Sequence, residues 1–160
     1  MAEPAIVDVA FEERYWYPDD GGVVWVAGFH VVDAEGRFVG RDAPLLAERG
    51  LVVTHAAGAA QHHAAGLASE AAAPGQPLTL RRDPANAFDP NAIAVDTADG
   101  EQVGWVPRET AASIAPALDA GEPWSAVALR EQRASPREPR TGVTMLLARA
   151  ASVELHELQR

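Results

Sequence analysis

Between Gly75 and Val95 the chain reads GQPLTLRRDPANAFDPNAIAV, and this stretch most restricts what the whole can fold into. It opens on the strand-like alternation Leu78-Thr79-Leu80 and closes on a second strand-like run, Ala92-Ile93-Ala94-Val95. Between them stand Asp83, Pro84, Asn86, Asp89, Pro90 and Asn91, residues that build turns because their side chains bond nearby backbone or fix φ. A hairpin needs only about two to five loop residues. The surplus here predicts a built loop held between two strands. Asn86 offers donors and an acceptor, Phe88 an aromatic face and Asp89 an acceptor-only carboxylate when ionised. Such a set can stack a base and accept a hydrogen bond from a hydroxyl. On chemistry alone, the scaffold reading takes most of these residues: Asp89-Pro90-Asn91 builds the turn, Ile93 and Val95 pack inward, and Phe88 is expected to plug the loop into the core.

The remainder of the chain predicts strands around that loop. Ile6 to Phe11, Val23 to Val32, Leu51 to Thr54, Gln102 to Val106, Trp124 to Leu129 and Val143 to Leu158 are β-branched or alternating runs, the last with a bend near Ala150-Ala151-Ser152. Tyr15-Trp16-Tyr17, with Pro18 and the Asp-Asp-Gly-Gly that follows, reads as a polar, aromatic turn, and Arg37-Phe38-Val39 as a returning hairpin strand. Helices are expected over Ala43 to Arg49, stopped by Gly50, over the alanine-rich 56–73, and from Pro107 onward, where Pro116 should kink or shorten the helix. Residues 130–141 read as a proline- and arginine-rich loop. Many short strands separated by turn signals predict a mainly β fold, a small barrel or sandwich.

Composition narrows the chemistry. With no cysteine there is no disulfide framework, thiolate metal site or cysteine nucleophile. No phosphate-cradling loop, HExxH, GxSxG or dinucleotide fingerprint is present, so no motor, catalytic residue or cofactor is expected. His62-His63 is a possible metal seed, but adjacent side chains diverge on a helix or strand, and no metal ligand set is assigned. Asp83, Asp89 and Glu101 could supply carboxylates to a metal-dependent nuclease or hydrolase, the third-ranked reading. The N-terminus lacks signal-peptide character and no apolar run approaches a membrane span, so no membrane contact and a cytoplasmic location are expected.

Net charge is −10, and all 13 basic residues are arginine, a poor overall balance for gripping duplex nucleic acid. The acid is uneven: residues 1–50 carry 10 acids against 4 arginines, whereas residues 111–160 carry 6 of each. Arg81, Arg82 and Arg108 near the organising loop, and the cluster Arg130, Arg133, Arg137 and Arg140, leave room for a local basic groove.

The organising stretch, followed by QVGWVPRETAASIAPAL, resembles the HIRAN domain. Its pattern is R-[DE]-P-x-N-x-[YF]-D-x-N-A-[IV], then G-[YWH]-[VLI]-P/K-x-E before a helix, and both parts are present. The likeness runs from Leu51 to the end, which divides the chain into a β-rich extension over 1–50 and a HIRAN-like domain over 51–160. The resemblance implies a small OB-like β-barrel with a helical insertion, binding single-stranded DNA at its 3′-hydroxyl end in DNA repair or replication-fork processing. A helicase or repair protein would be a further partner. By position, Asn86, Phe88 and Asp89 match the end-binding loop, Arg108 a basic residue near phosphate and Trp105 a nearby ring. Gln61 and His62 stand where DNA-binding members carry an arginine and a tyrosine. The alternative is a non-catalytic protein-interaction module that uses the acidic, aromatic first 50 residues.

Overall fold

The computed structural model describes residues 3–17 and 22–158; Pro18 and the Asp19, Asp20 and Gly21 of the expected turn lie outside them. The strands are β1 (Ala5–Trp16), β2 (Val24–Val31), β3 (Leu51–His55), β4 (Pro77–Arg82), β5 (Ile93–Thr97), β6 (Gln102–Trp105), β7 (Ser125–Arg133), β8 (Arg140–Ala148) and β9 (Val153–Glu157). Four short or medium helices join them: α1 (Pro44–Glu48), α2 (Ala59–His62), α3 (Ala64–Ala68) and α4 (Arg108–Asp119). A single 3-10 turn, Glu70–Ala72, follows α3.

All nine strands belong to one sheet. Its main path runs β6-β5-β4-β7-β2-β1-β9, and β8 pairs with β7 and β3 off that path. The pairings are antiparallel except β1 with β9, so the sheet is mixed. The fold is mainly β, as expected, but the sheet is open and mixed and does not close into the expected small OB-like barrel. The sheet curls until Ala57, two residues past β3, meets Trp105 of β6. They exchange two backbone hydrogen bonds, Ala57 N to Trp105 O at 2.7 Å and Trp105 N to Ala57 O at 2.9 Å. One bridge does not make a ladder. The seam stays open because the chain leaves β3 and turns into α2 there.

Strands β7 and β8 are buried on both faces, which their near-continuous apolar runs require. Ala126, Ala128, Met145 and Leu147 face one core, with Leu67, Ile93, Val95, Val103 and Ile114. Val127, Leu129, Leu146 and Ala148 face the other, with Val7, Val9, Val31, Leu46 and Leu51. The first core carries the loop and helices α2 to α4; the second packs β1, β2 and α1 against the same wall.

Five local expectations need correction. Tyr15 and Trp16 continue β1, pairing with Trp25 and Val24 rather than turning. The strand expected at 37–39 reduces to a single bridge, Val32 to Phe38. Residues 130–133 extend β7 and Arg140 opens β8, so only the segment between them is loop. The polar character that suggested a loop comes from a buried ion network: Glu131 bonds both Arg133 and Arg140, with Arg140 Nε at 3.2 Å. The helix through Pro116 is not shortened there and runs on to Asp119. Pro116 sits in the last turn, where its missing N–H forfeits only the bond to the Ala112 carbonyl.

The alanine-rich 56–73 is not one helix but α2, α3 and the 3-10 turn. Gly58 (φ +69°) sits in the left-handed region just before α2, and the break between α2 and α3 falls at His63. Gly66 lets α3 lie directly on β6, since a Cβ there would stand 2.0 Å from the Gln102 carbonyl oxygen. Arg140 then pins the C-terminal end of α3, its Nη1 donating to the Ser69 carbonyl at 2.9 Å and reaching those of Leu67 and Ala68 at 3.4 Å. A cation here also meets the negative end of the helix dipole. Its side chain is 3% exposed. Removing one member of a buried pair strands the other, at about 3–5 kcal/mol. Arg140→Ala is therefore expected to lower unfolding stability by roughly 3 kcal/mol or more in urea titrations, whereas Arg137→Ala, on the exposed loop, should fall within about 0.5 kcal/mol of the parent.

Candidate nucleic-acid interface

The loop between β4 and β5 is held by its own side chains. Asp83 N donates to the Ala92 carbonyl at 2.9 Å, closing the base of the loop. Inside it, Asn86 Oδ1 accepts from Phe88 N at 2.9 Å and Asp89 N at 3.1 Å, while Asn86 Nδ2 donates to Asp83 Oδ2 at 3.1 Å. Asp89 Oδ1 accepts from Asn91 N at 2.9 Å. These are Asx-type bonds, in which a short polar side chain replaces a backbone partner. Asn86 is thus engaged in building the loop.

Arg82 fixes the loop from below. Its Nη1 donates to Ala92 O at 2.8 Å and its Nη2 to Pro90 O at 3.0 Å, while Nε donates to Asp119 Oδ1 at 2.9 Å. One guanidinium therefore ties the loop to the last turn of α4. The pairing raises the Arg82 pKa and lowers that of Asp119. Sequence reasoning noted Arg82 only as a nearby charge; its planar fork, able to serve several acceptors at once, was the available signal. Arg81 is engaged too, donating to Asp96 at 2.8 and 3.3 Å. Arg130 is buried against Phe29 O and His30, and burial first, then Arg41 and Arg14, lowers its pKa to about 10. Of the three arginines near the loop, Arg108 stays open, 78% exposed, with Nε 3.9 Å from Asp89 Oδ2.

Phe88 is 88% exposed, which overturns the expectation that it plugs the loop into the core. With Asn86 and Arg82 organising the backbone beneath it, the ring is left over a groove of about 570 Å³. Ala57, Ala92 and Val106 floor this groove, and His62, His63, Asn86, Asp89, Trp105 and Arg108 complete its walls. Six of the seven residues singled out from sequence therefore meet here. Gln61 does not: it lines a separate hollow beyond α2, because neighbouring helical residues point to different sides.

His63, read in the sequence only as half of a possible metal seed, lies edge-on to Trp105 with ring centroids 6.4 Å apart. Burial, then the neighbouring His62, lowers its pKa from 6.5, with Asp96 opposing. Among the described residues no cluster of three or more His, Asp or Glu side chains is placed to hold a metal ion. No helix among them is long and apolar enough to cross a membrane.

A scan against protein families matches the HIRAN domain over residues 50–139. The chain belongs to the HIRAN domain family. A HIRAN domain is a nucleic-acid-binding module, without catalysis of its own. Among solved structures, the chain is similar to the HIRAN domain of human HLTF at 24% identity and a TM-score of 0.46, over 62% of this chain and 77% of that one. A search of curated proteins returns no match. The family match ends at residue 139, just before β8, and omits β1 and β2.

Two outcomes test this geometry. Asn86→Ala should cost about 1–2 kcal/mol of unfolding free energy, because two backbone donors lose their acceptor, whereas Phe88→Ala should stay within about 0.5 kcal/mol. His63 should titrate by NMR below 6.5, so that its neutral form favours the folded state; stability linked to it is whole above pH 6.5 and is lost as pH falls through the lowered value. A His63 midpoint at or above 6.5 would contradict its packing.

Proposed function

We propose that the groove between the 83–91 loop, α2 and the start of α4 receives the 3′ end of single-stranded DNA. The observation that carries this is the exposed Phe88 ring standing beside the Asp89 carboxylate on a loop made rigid by Asn86 and Arg82. Phe88 offers a face for the terminal base, an interaction that tolerates any base and contributes roughly 1–3 kcal/mol. Asp89 has one oxygen engaged by Asn91 N and keeps Oδ2 for a donor. A terminal hydroxyl is such a donor; a terminal phosphate, anionic and lacking that hydroxyl, would be repelled. Arg108 stands on the other side of Oδ2 and meets the last internal phosphate. Helix α4 begins at Arg108, so the positive end of its dipole adds to that charge. Trp105, His63 and His62 give the penultimate base an aromatic wall. On this reading the protein acts in DNA repair or replication-fork processing as a recognition module, working with a helicase or repair protein.

A second reading has its own observation. Strand β9 covers only residues 5–9 of β1, and beyond it Phe11, Tyr15 and Tyr17 are exposed. Exposed aromatics on an uncovered strand suit a protein partner.

Fluorescence anisotropy of 5′-labelled single strands separates the readings. A 3′-hydroxyl strand should bind about tenfold or more tightly than its 3′-phosphate counterpart, and Asp89→Ala should erase the difference. Phe88→Ala should weaken both by roughly 1–3 kcal/mol. Equal binding of the two ends, unchanged by Asp89→Ala, would remove the end pocket. No binding at low salt, where phosphate contacts are strongest, would favour the protein-interaction reading.

A further inference from the structure

On the far side of α2 lies a second hollow of about 700 Å³. It is walled by Trp16 and Val24 from β1 and β2, by residues 55–61, and by Gln132 and Thr141 from β7 and β8. Trp16 and Val24 are cross-strand partners, so their side chains share the face that looks into the hollow, while the neighbouring Tyr15 pairs with Trp25 on the opposite face. Trp16 is 54% exposed. Among the described residues, none that lines the hollow carries a carboxylate. Ala57 belongs to both the hollow and the groove, and α2 forms the ridge between them, with His62 toward the groove and Gln61 toward the hollow.

We infer that this hollow is a second nucleobase subsite, which takes the part of the same DNA strand lying 5′ of the end held at Phe88. The inference rests on the single-strand reading above. Trp16 is the stacking platform. Gln61 presents an amide that can pair with any base edge. Gln132 and Thr141 are polar but internally bonded, Gln132 Nε2 to Thr144 Oγ1 and Thr141 Oγ1 to Gln132 O, so they form a fixed wall. The subsite needs the N-terminal strands, which the family match leaves out. Trp16 would therefore give this chain a longer footprint than its groove alone provides.

The test compares 3′-hydroxyl oligothymidines of about four and about twelve nucleotides, within the range a small β domain occupies, using the full chain. The longer strand should bind more tightly, and Trp16→Ala should weaken it by about fivefold or more while leaving the short strand unchanged. Trp16→Tyr, which keeps a stacking ring, should restore the difference. Trp16 lies at an exposed strand end, and unchanged short-strand binding also reports that the variant is folded. Equal affinity for both lengths, or a Trp16→Ala variant that binds the long strand normally, overturns the subsite while the end pocket stands. Failure of both strands to bind the parent chain overturns both.

Discussion

The pairing of β7 with β8 is the constraint on which everything else depends. Each strand sends alternate side chains into two different cores, so neither can slip by one residue without exchanging the sets. That fixed register sets where β4 and β2 attach along the other side of β7. Through β4 it fixes the loop, and through β2 it fixes β1 and Trp16. The ion network at the polar end of the pair extends the same control to the helices. Glu131 and Arg140 are buried there, and Arg140 holds the carbonyls that end α3. The helical segment that includes Gln61, His62 and His63 is thus held from the sheet's interior at the end of α3.

The loop over residues 83–91 divides its polar groups between building and display. Asn86 accepts two backbone N–H groups, Arg82 reaches two backbone carbonyls, and Asp89 gives one oxygen to the turn. What is left facing outward is one ring, one carboxylate oxygen and the Arg108 guanidinium. A loop with fewer internal bonds would fold Phe88 onto the apolar floor of Ala57, Ala92 and Val106 to escape water. Here the backbone geometry is determined independently of the ring, so the ring stays out. This separation lets one short segment be both rigid and available to a ligand.

How much of this was legible in sequence follows from which forces act locally. The strands read well because alternation and continuous apolar runs are local records of burial: β5 and β8 are unmistakable in Ile93-Ala94-Val95 and Met145-Leu146-Leu147. The HIRAN pattern picked out seven residues, and six of them line one groove. That Asn86 also builds the loop could not be read, because Asn86 as ligand and Asn86 as scaffold have the same spelling. The run at 130–140 misled for the converse reason: Arg130, Glu131, Arg133 and Arg140 look solvated until their long-range partners are known. The Ala-rich 56–73 has helical propensity throughout, but Gly66 against the Gln102 carbonyl and Gly58 at positive φ subordinate it to contacts with β6. Barrel closure depended on how far the sheet curls, which no local signal records.

The charge pattern now has a physical reading. Arg81 and Arg82, which by position promise a basic groove, are committed to Asp96 and Asp119, and Arg130, Arg133 and Arg140 to the interior. A surface organised this way cannot grip a long phosphate backbone through many ion pairs, and the net charge of −10 opposes it further. Arg108 beside Asp89 is enough to orient one phosphate and too little to hold a duplex. Affinity on the proposed reading must come from stacking and from the one hydrogen bond that distinguishes a strand end. Such a site discriminates well because it binds weakly elsewhere: with little nonspecific electrostatic attraction along the strand, the ring and the carboxylate decide where binding occurs.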